Sequence, residues 1–98
     1  MNTFLKTKYF ADWLGSLRDS KARVKIVRRI ERAELGNFGD HKNIGGPIWE
    51  MRIAYGPGYR LYYARKGNAV YLLLCGGDKS SQQADIKLAE EMWRQIDG

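Results

Sequence analysis

Between Ile48 and Lys79 the chain reads as three short strand-like runs, two of them alternating apolar and polar residues. Few folds accept that pattern. Gly56-Pro57-Gly58 separates the first run from the second, and Gly67-Asn68 the second from the third. Such runs, split by short glycine-containing turns, form an antiparallel meander. With Gly56–Gly58 as a three-residue loop, Tyr55 faces Tyr59 and Ile53 faces Leu61. Successive side chains alternate between the faces of a strand. Trp49, Met51, Ile53, Tyr55, Tyr59, Leu61 and Tyr63 then share a core face. Glu50, Arg52, Ala54, Arg60, Tyr62 and Ala64 share the other. A two-residue turn at Gly67-Asn68 pairs Tyr63 with Leu72 and Arg60 with Cys75. Val70, Leu72 and Leu74 then join the core, and Tyr71, Leu73 and Cys75 the polar face. Arg52 and Arg60 become diagonal neighbours, roughly 7 Å apart. Lys79 enters the same region from the end of the third strand. Cations this close are unfavourable unless an anion lies between them, and a phosphate group suits.

The rest of the chain supplies helices. Phe10, Trp13, Leu14 and Leu17 fall on one helical face, preceded by a short strand around Thr3 to Lys6. Ser20 is a good N-cap for a second helix, whose apolar stripe is Ala22, Ile26, Ile30 and Ala33. Leu35 closes it, and Gly36-Asn37 offers a left-handed cap. Between Ser20 and Ala33, Lys21, Arg23, Lys25, Arg28, Arg29 and Arg32 against Glu31 give a charge of 6 − 1 = +5. That face reads as solvated, as an RNA-backbone rail or as a dock for an acidic partner. Asn37 to Pro47 reads as a loop carrying His41 and Lys42. Ser80-Ser81-Gln82-Gln83 matches a capping box for a third helix, with Ile86, Ala89, Trp93 and Ile96 as its stripe.

The 98 residues make one small domain, residues 1–98, with 44% hydrophobic residues and a net charge of +6. The charge favours an anionic partner. One cysteine and one histidine build no metal cluster, so neither metal nor cofactor is expected. Cys75 forms no internal disulfide and reads as a small core residue. No apolar stretch approaches the ~20 residues needed to span a bilayer, and a cytoplasmic protein without membrane contact is expected. Gly76-Gly77-Asp78-Lys79 lacks the spacing of a phosphate-binding loop, and no nucleophile elbow is present. The expected architecture is α+β. An N-terminal helical hairpin packs on a small antiparallel sheet with a C-terminal helix, leaving the other sheet face partly open, basic and lined with Arg, Tyr and Lys.

Three segments resemble the RelE/ParE superfamily of toxins from bacterial toxin–antitoxin modules: GNFGDHKNIGG, WEMRIAYGPGYRLYYARKG and LLLCGGDKSSQQADI. The similarity is greatest to the HigB-like branch of addiction-module killer proteins, and it runs in order through nearly the whole chain. It implies a cytoplasmic toxin of a type II module with a microbial-ribonuclease-like fold, held inactive by an antitoxin, often a helix-turn-helix repressor. RelE-type toxins cut messenger RNA in the ribosomal A site without a metal, the 2′-OH attacking the adjacent phosphate. By resemblance Arg60 matches the arginine that stabilises the phosphate transition state. Arg52 matches a basic strand position, and Lys79 the basic residue after the last strand. At Glu50 RelE carries a lysine. The catalytic C-terminal tyrosine of RelE has no counterpart, Gln83 and Asp85 occupying that region. Two other outcomes share the fold: a ParE-type toxin that inhibits DNA gyrase without cutting anything, and a non-toxic co-repressor relic.

The residues themselves suit RNA cleavage. Arg52 and Arg60 offer paired donors to a phosphorane. Glu50 is a candidate base or the ion-pair partner of Arg52. Lys79 and His41 are candidate acids or bases if their loops fold inward, and Lys42 reaches the same cleft under that condition. Tyr62 stacks on a base or stands as a sheet-surface aromatic.

Overall fold

A computed structural model describes residues 1–97. In chain order these form β1 (Thr3–Lys6), α1 (Lys8–Ser16), α2 (Ser20–Glu34), β2 (His41–Gly45), β3 (Ile48–Ile53), β4 (Tyr59–Gly67), β5 (Val70–Asp78), a 3-10 turn (Lys79–Ser81) and α3 (Gln82–Asp97). The α+β class holds. The sheet is larger than a meander: five strands in the order β1-β5-β4-β3-β2, with β1 parallel to β5 and the other pairs antiparallel. Among the described residues no helix is long and apolar enough to cross a membrane.

Local chemistry sets the element ends. Thr7 caps α1, its hydroxyl accepting from Phe10 N at 3.0 Å and donating to Leu74 O at 2.7 Å. Asp19, not Ser20, caps α2, accepting from the amides of Lys21 and Ala22. Gly36 closes it at φ +97°, a left-handed conformation that glycine adopts without strain. Asp78, rather than Ser80, forms the capping box at the 3-10 turn, with Ser81 as its reciprocal partner.

The β3–β4 register differs from expectation. The connection runs over residues 54–58, so Ile53 pairs with Tyr59 and Arg52 sits directly opposite Arg60. Slipping a hairpin by an even step keeps every side chain on its face. Met51, Ile53, Tyr59, Leu61 and Tyr63 accordingly share one core cluster. In the next hairpin the loop is Asn68-Ala69, with Ala69 at φ +58°, and an irregularity between Tyr62 and Tyr63 places an extra residue at Leu74. A second irregularity, between Arg65 and Gly67, leaves Lys66 as an extra residue on β4; between the two irregularities the expected faces are reversed, whereas Cys75 keeps its expected face. Leu73 and Tyr71 pack with Phe4 on the first face, while Leu72, Leu74 and Cys75 lie on the second.

Helices cover both faces. On the first, α1 lies on β5 and β1, and α2 on β1 and β3, with Phe10, Ala22 and Ile26 fully buried. They are not zipped along their length; a groove lined by Leu14, Val24 and Val27 separates them. On the second face α3 lies on β5 and β4, burying Tyr62, Ala64, Leu74 and Cys75. The expected open face is therefore closed over β4 and β5 and open only towards β3 and β2. The segment 37–47, expected to be a loop, carries the edge strand β2.

Candidate functional site

The cationic cluster gathers where β3 and β4 meet the start of α3. Strand alternation puts Glu50 and Arg52 of β3 on the α3 side, together with Arg60 and Tyr62 of β4. Glu50 is fully buried. Its Oε2 accepts from Gln82 Nε2 at 3.0 Å and lies 3.5 Å from Arg60 Nε. The second carboxylate oxygen, Oε1, has no hydrogen-bond partner, nor has the buried Tyr62 hydroxyl on the neighbouring strand position. Burial raises the Tyr62 phenol, and the nearby Glu50 charge adds to the shift. The hydroxyl thus stays protonated.

Arg60 is 12% exposed. Its Nη1 donates to Gly58 O at 3.3 Å, which turns the planar end of the guanidinium towards the β3–β4 loop. Gly58 is at φ +81°, a left-handed conformation that favours glycine, and Lys79 Cβ lies 3.6 Å from where its Cβ would stand. The Lys79 amide donates to Pro57 O at 3.4 Å, so the 3-10 turn holds exposed Lys79 beside the same loop. Arg52 has its own carboxylate: Nη2 donates to Asp40 Oδ1 at 2.9 Å, and this contact raises the guanidinium pKa.

Each arginine therefore has an acidic partner. The repulsion that argued for a bound phosphate is relieved within the chain. The two pairs are unequal, however. Arg52–Asp40 is exposed, and such pairs are worth about 0–1 kcal/mol, so a phosphate can displace the aspartate. Arg60–Glu50 is buried, where loss of either partner leaves an isolated charge.

The expected site residues divide accordingly. Arg52, Arg60, Glu50 and Lys79 come together. Lys42 pairs with Glu50 across β2–β3 and stands exposed on the same face. His41 does not join them. It pairs with Met51, its Nδ1 lies 2.9 Å from Gly39 O, and its ring packs beside Phe38 and Trp49 on the opposite face. Tyr62 is fully buried beneath α3 and is not available to stack on a base. Glu50 is likewise enclosed: it partners Arg60 rather than Arg52, beneath the surface that a substrate would touch.

Three supporting residues carried little sequence signal. Gln82 lay inside the expected Ser80–Gln83 capping box with no role of its own, yet it ties α3 to Glu50. Asp40 sat in an expected loop. Arg29 looked like one more cation of α2. Its guanidinium instead turns inward, donating to Arg52 O at 2.5 Å, Phe38 O at 2.9 Å and Asp40 O at 3.2 Å. Burial lowers its pKa. Arg29 thereby fixes the segment that delivers Asp40 to Arg52. Its inward turn could have been suspected only from its place on the α2 stripe, one residue before Ile30.

Beyond the cluster, Asp85 lies over Gly77, the residue paired with Arg60, and accepts from Ser81 Oγ at 2.5 Å. Burial raises its pKa against that hydrogen bond. Burial also pushes the Cys75 thiol up to about 12, which leaves it an inert core residue. Among the described residues no group of His, Cys, Asp and Glu has metal-site geometry.

Residues 12–94 match the family described as "Phage derived protein Gp49-like (DUF891)". The chain is also 43% identical over 90 residues to a Haemophilus influenzae protein described as "Uncharacterized protein", covering 92% of this chain and 91% of that one.

Proposed function

We propose, from the premise that the chain belongs to the Gp49-like phage-derived family within the RelE/ParE-like toxin superfamily, that it is the toxin of a type II toxin–antitoxin module and a messenger-RNA endonuclease acting with the ribosome. The observation that carries this reading is the pairing of Arg52 with Arg60 across β3–β4, with Lys79 held beside the same loop.

Cleavage of RNA through its own 2′-OH builds negative charge on the phosphorane oxygens. Arg60 is suited to meet that charge. Glu50, itself anchored by Gln82, lies 3.5 Å from its Nε, and Nη1 faces the loop. A preorganised donor of this kind contributes about 3–4 kcal/mol in the transition state. Arg52 supplies a second guanidinium once phosphate displaces Asp40, and Lys79 and Lys42 add charge along the strand of RNA. Glu50, fully buried, acts through Arg60 as a positioning residue rather than as the base. The lysine that RelE carries at this point is replaced by the anchor of the neighbouring arginine. The reaction as proposed uses no resident metal or cofactor. A cognate antitoxin, of the helix-turn-helix kind in this reading, restrains the toxin, and the site of action is the cytoplasm.

The test is purified protein with ribosomes and a defined message. Discrete cuts in the A-site codon, lost in an Arg52→Ala variant, are expected. An uncut message together with gyrase-linked DNA breaks would replace this reading with the ParE-type one. Inertness in both assays would leave a co-repressor relic.

A further inference from the structure

On the sheet face opposite Arg60, Phe38, His41, Trp49, Tyr63, Arg65 and Tyr71 line a pocket of about 270 Å³. Its walls are rings from four separate places in the chain: the α2–β2 connection, β2, β3 and the β4–β5 hairpin. His41 and Trp49 lie 5.6 Å apart at 31°, and Phe38 and His41 lie 5.4 Å apart at 40°. Phe38 stacks on buried Tyr63 at 21°, while His41 and Trp49 are tilted and Tyr71 meets Phe38 edge-on at 66°. Phe38, Trp49 and Tyr71 are only partly buried, so aromatic surface stays open to a visitor.

Arg65 stands at the rim. Its Nε donates to Gly67 O at 3.0 Å and its Nη2 to Asn68 Oδ1 at 3.3 Å. Both are neutral acceptors. Among the described residues no carboxylate lies within ion-pair distance of Arg65. The hairpin end therefore holds a guanidinium in place with its charge uncompensated. Aromatic walls favour a flat ring, and a fixed, unpaired guanidinium at the mouth favours an anion attached to that ring. The volume lies just under the roughly 300–1,000 Å³ of drug-sized sites, which suits one base.

We infer that this pocket binds one unpaired nucleotide of RNA, the base among Phe38, Trp49 and Tyr71 and its phosphate on Arg65. Unpaired bases of single-stranded RNA stack on such aromatics. His41 closes one wall, which gives it a ligand-facing role away from Arg60. The inference extends the RNA reading above, but it is tested by binding alone.

The experiment is a titration of isotope-labelled full-length protein with adenosine 5′-monophosphate, adenosine and ribose 5-phosphate, followed by amide and indole NMR signals. Adenosine 5′-monophosphate is expected to shift the Trp49 indole N–H and the amides of Phe38 and Tyr71. The indoles of Trp13 and Trp93 serve as internal references. Adenosine should produce the same shifts more weakly, and ribose 5-phosphate should leave Trp49 unmoved. Arg65→Ala should weaken the monophosphate about tenfold and leave adenosine unchanged. An unmoved Trp49 indole at millimolar nucleotide overturns the pocket. So do shifts centred on Gly58 to Arg60, ribose 5-phosphate binding as well as the nucleotide, or a phenylalanine-containing peptide binding more tightly than any nucleotide. Nucleotide binding at Trp49 with an uncut message would sink the endonuclease reading alone.

Discussion

Glu50 is a carboxylate with no exposed surface, and its neighbours explain why it is tolerated. Arg60 supplies the opposite charge at 3.5 Å, and Gln82 a hydrogen bond at 3.0 Å. Desolvating two charges offsets most of their attraction, so the pair adds little net stability. Breaking it is a different matter. Arg60→Ala leaves an uncompensated buried charge and should cost about 3–5 kcal/mol, read from urea denaturation. Toxicity lost in that variant alone would not separate folding from chemistry. The double variant Arg60→Ala/Glu50→Ala should recover most of the stability while cleavage stays absent. Recovery of cleavage in the double variant would remove Arg60 from the chemistry. Glu50→Gln keeps the shape and a partner for Gln82. It should lower the rate yet preserve the form of the pH–rate profile, because the residue acts by holding Arg60. Loss of a limb of that profile would make Glu50 the general base.

At the scale of elements, two contacts pin the helices to the sheet near this site. Gly76 of β5 lies under the Trp13 ring of α1, and an added Cβ there would overlap the ring. Gly76→Ala should therefore destabilise by about 1–3 kcal/mol, seen as a lower melting midpoint with partial loss of tryptophan burial. Asp78 caps the 3-10 turn that leads into α3, and its bonds to Ser80 and Ser81 hold its carboxyl below the usual value. A lowered folded-state pKa contributes stability that is fully present above the ordinary aspartate value near 3.8 and is lost as pH falls through the lowered one. Asp78→Ala should cost about 1 kcal/mol at neutral pH, with the gap to the parent protein closing in acid. An undiminished gap at pH values below both would assign the cap's worth to geometry rather than charge. These elements also show what the sequence could and could not reveal. Alternation at Trp49–Ile53 and Tyr59–Tyr63 was readable because the loop error was an even step. The Leu74 bulge was not, since Leu72, Leu73 and Leu74 look alike and only packing decides which one is extra. Strand β2 was hidden for another reason: HKNIG at an exposed edge carries no apolar alternation. The 3.6-residue stripe of α3 was visible, but not that it would close over Tyr62.

For the molecule as a whole, the placement of charge bears on where RNA runs. The net charge of +6 is concentrated on α2 in the sequence, and a backbone rail along that helix was one reading of it. The fold argues otherwise. Helix α2 covers the sheet face that holds Ile53 and Tyr63, whereas Arg52, Arg60 and Lys42 belong to the face under α3. Several α2 cations are also occupied. Arg29 clamps the β2 approach, Arg23 donates to Leu17 O, and Lys25 sits 5.1 Å above the Tyr55 ring. Lys21 and Arg28 remain exposed and are not engaged in an ion pair among the described residues. Replacing both with alanine lowers the formal charge from +6 to 6 − 2 = +4. Long-range attraction to RNA should weaken slightly, with cleavage of a defined message falling no more than about threefold at physiological salt. Arg52→Ala, on the other face, should reduce it on the order of a hundredfold. If Lys21→Ala/Arg28→Ala instead matches the loss in Arg52→Ala, the RNA path crosses α2 and the cluster under α3 is not where the message lies. Equal modest losses in both would leave charge acting only through the field of the whole protein, and the flattened salt dependence of binding would identify that case.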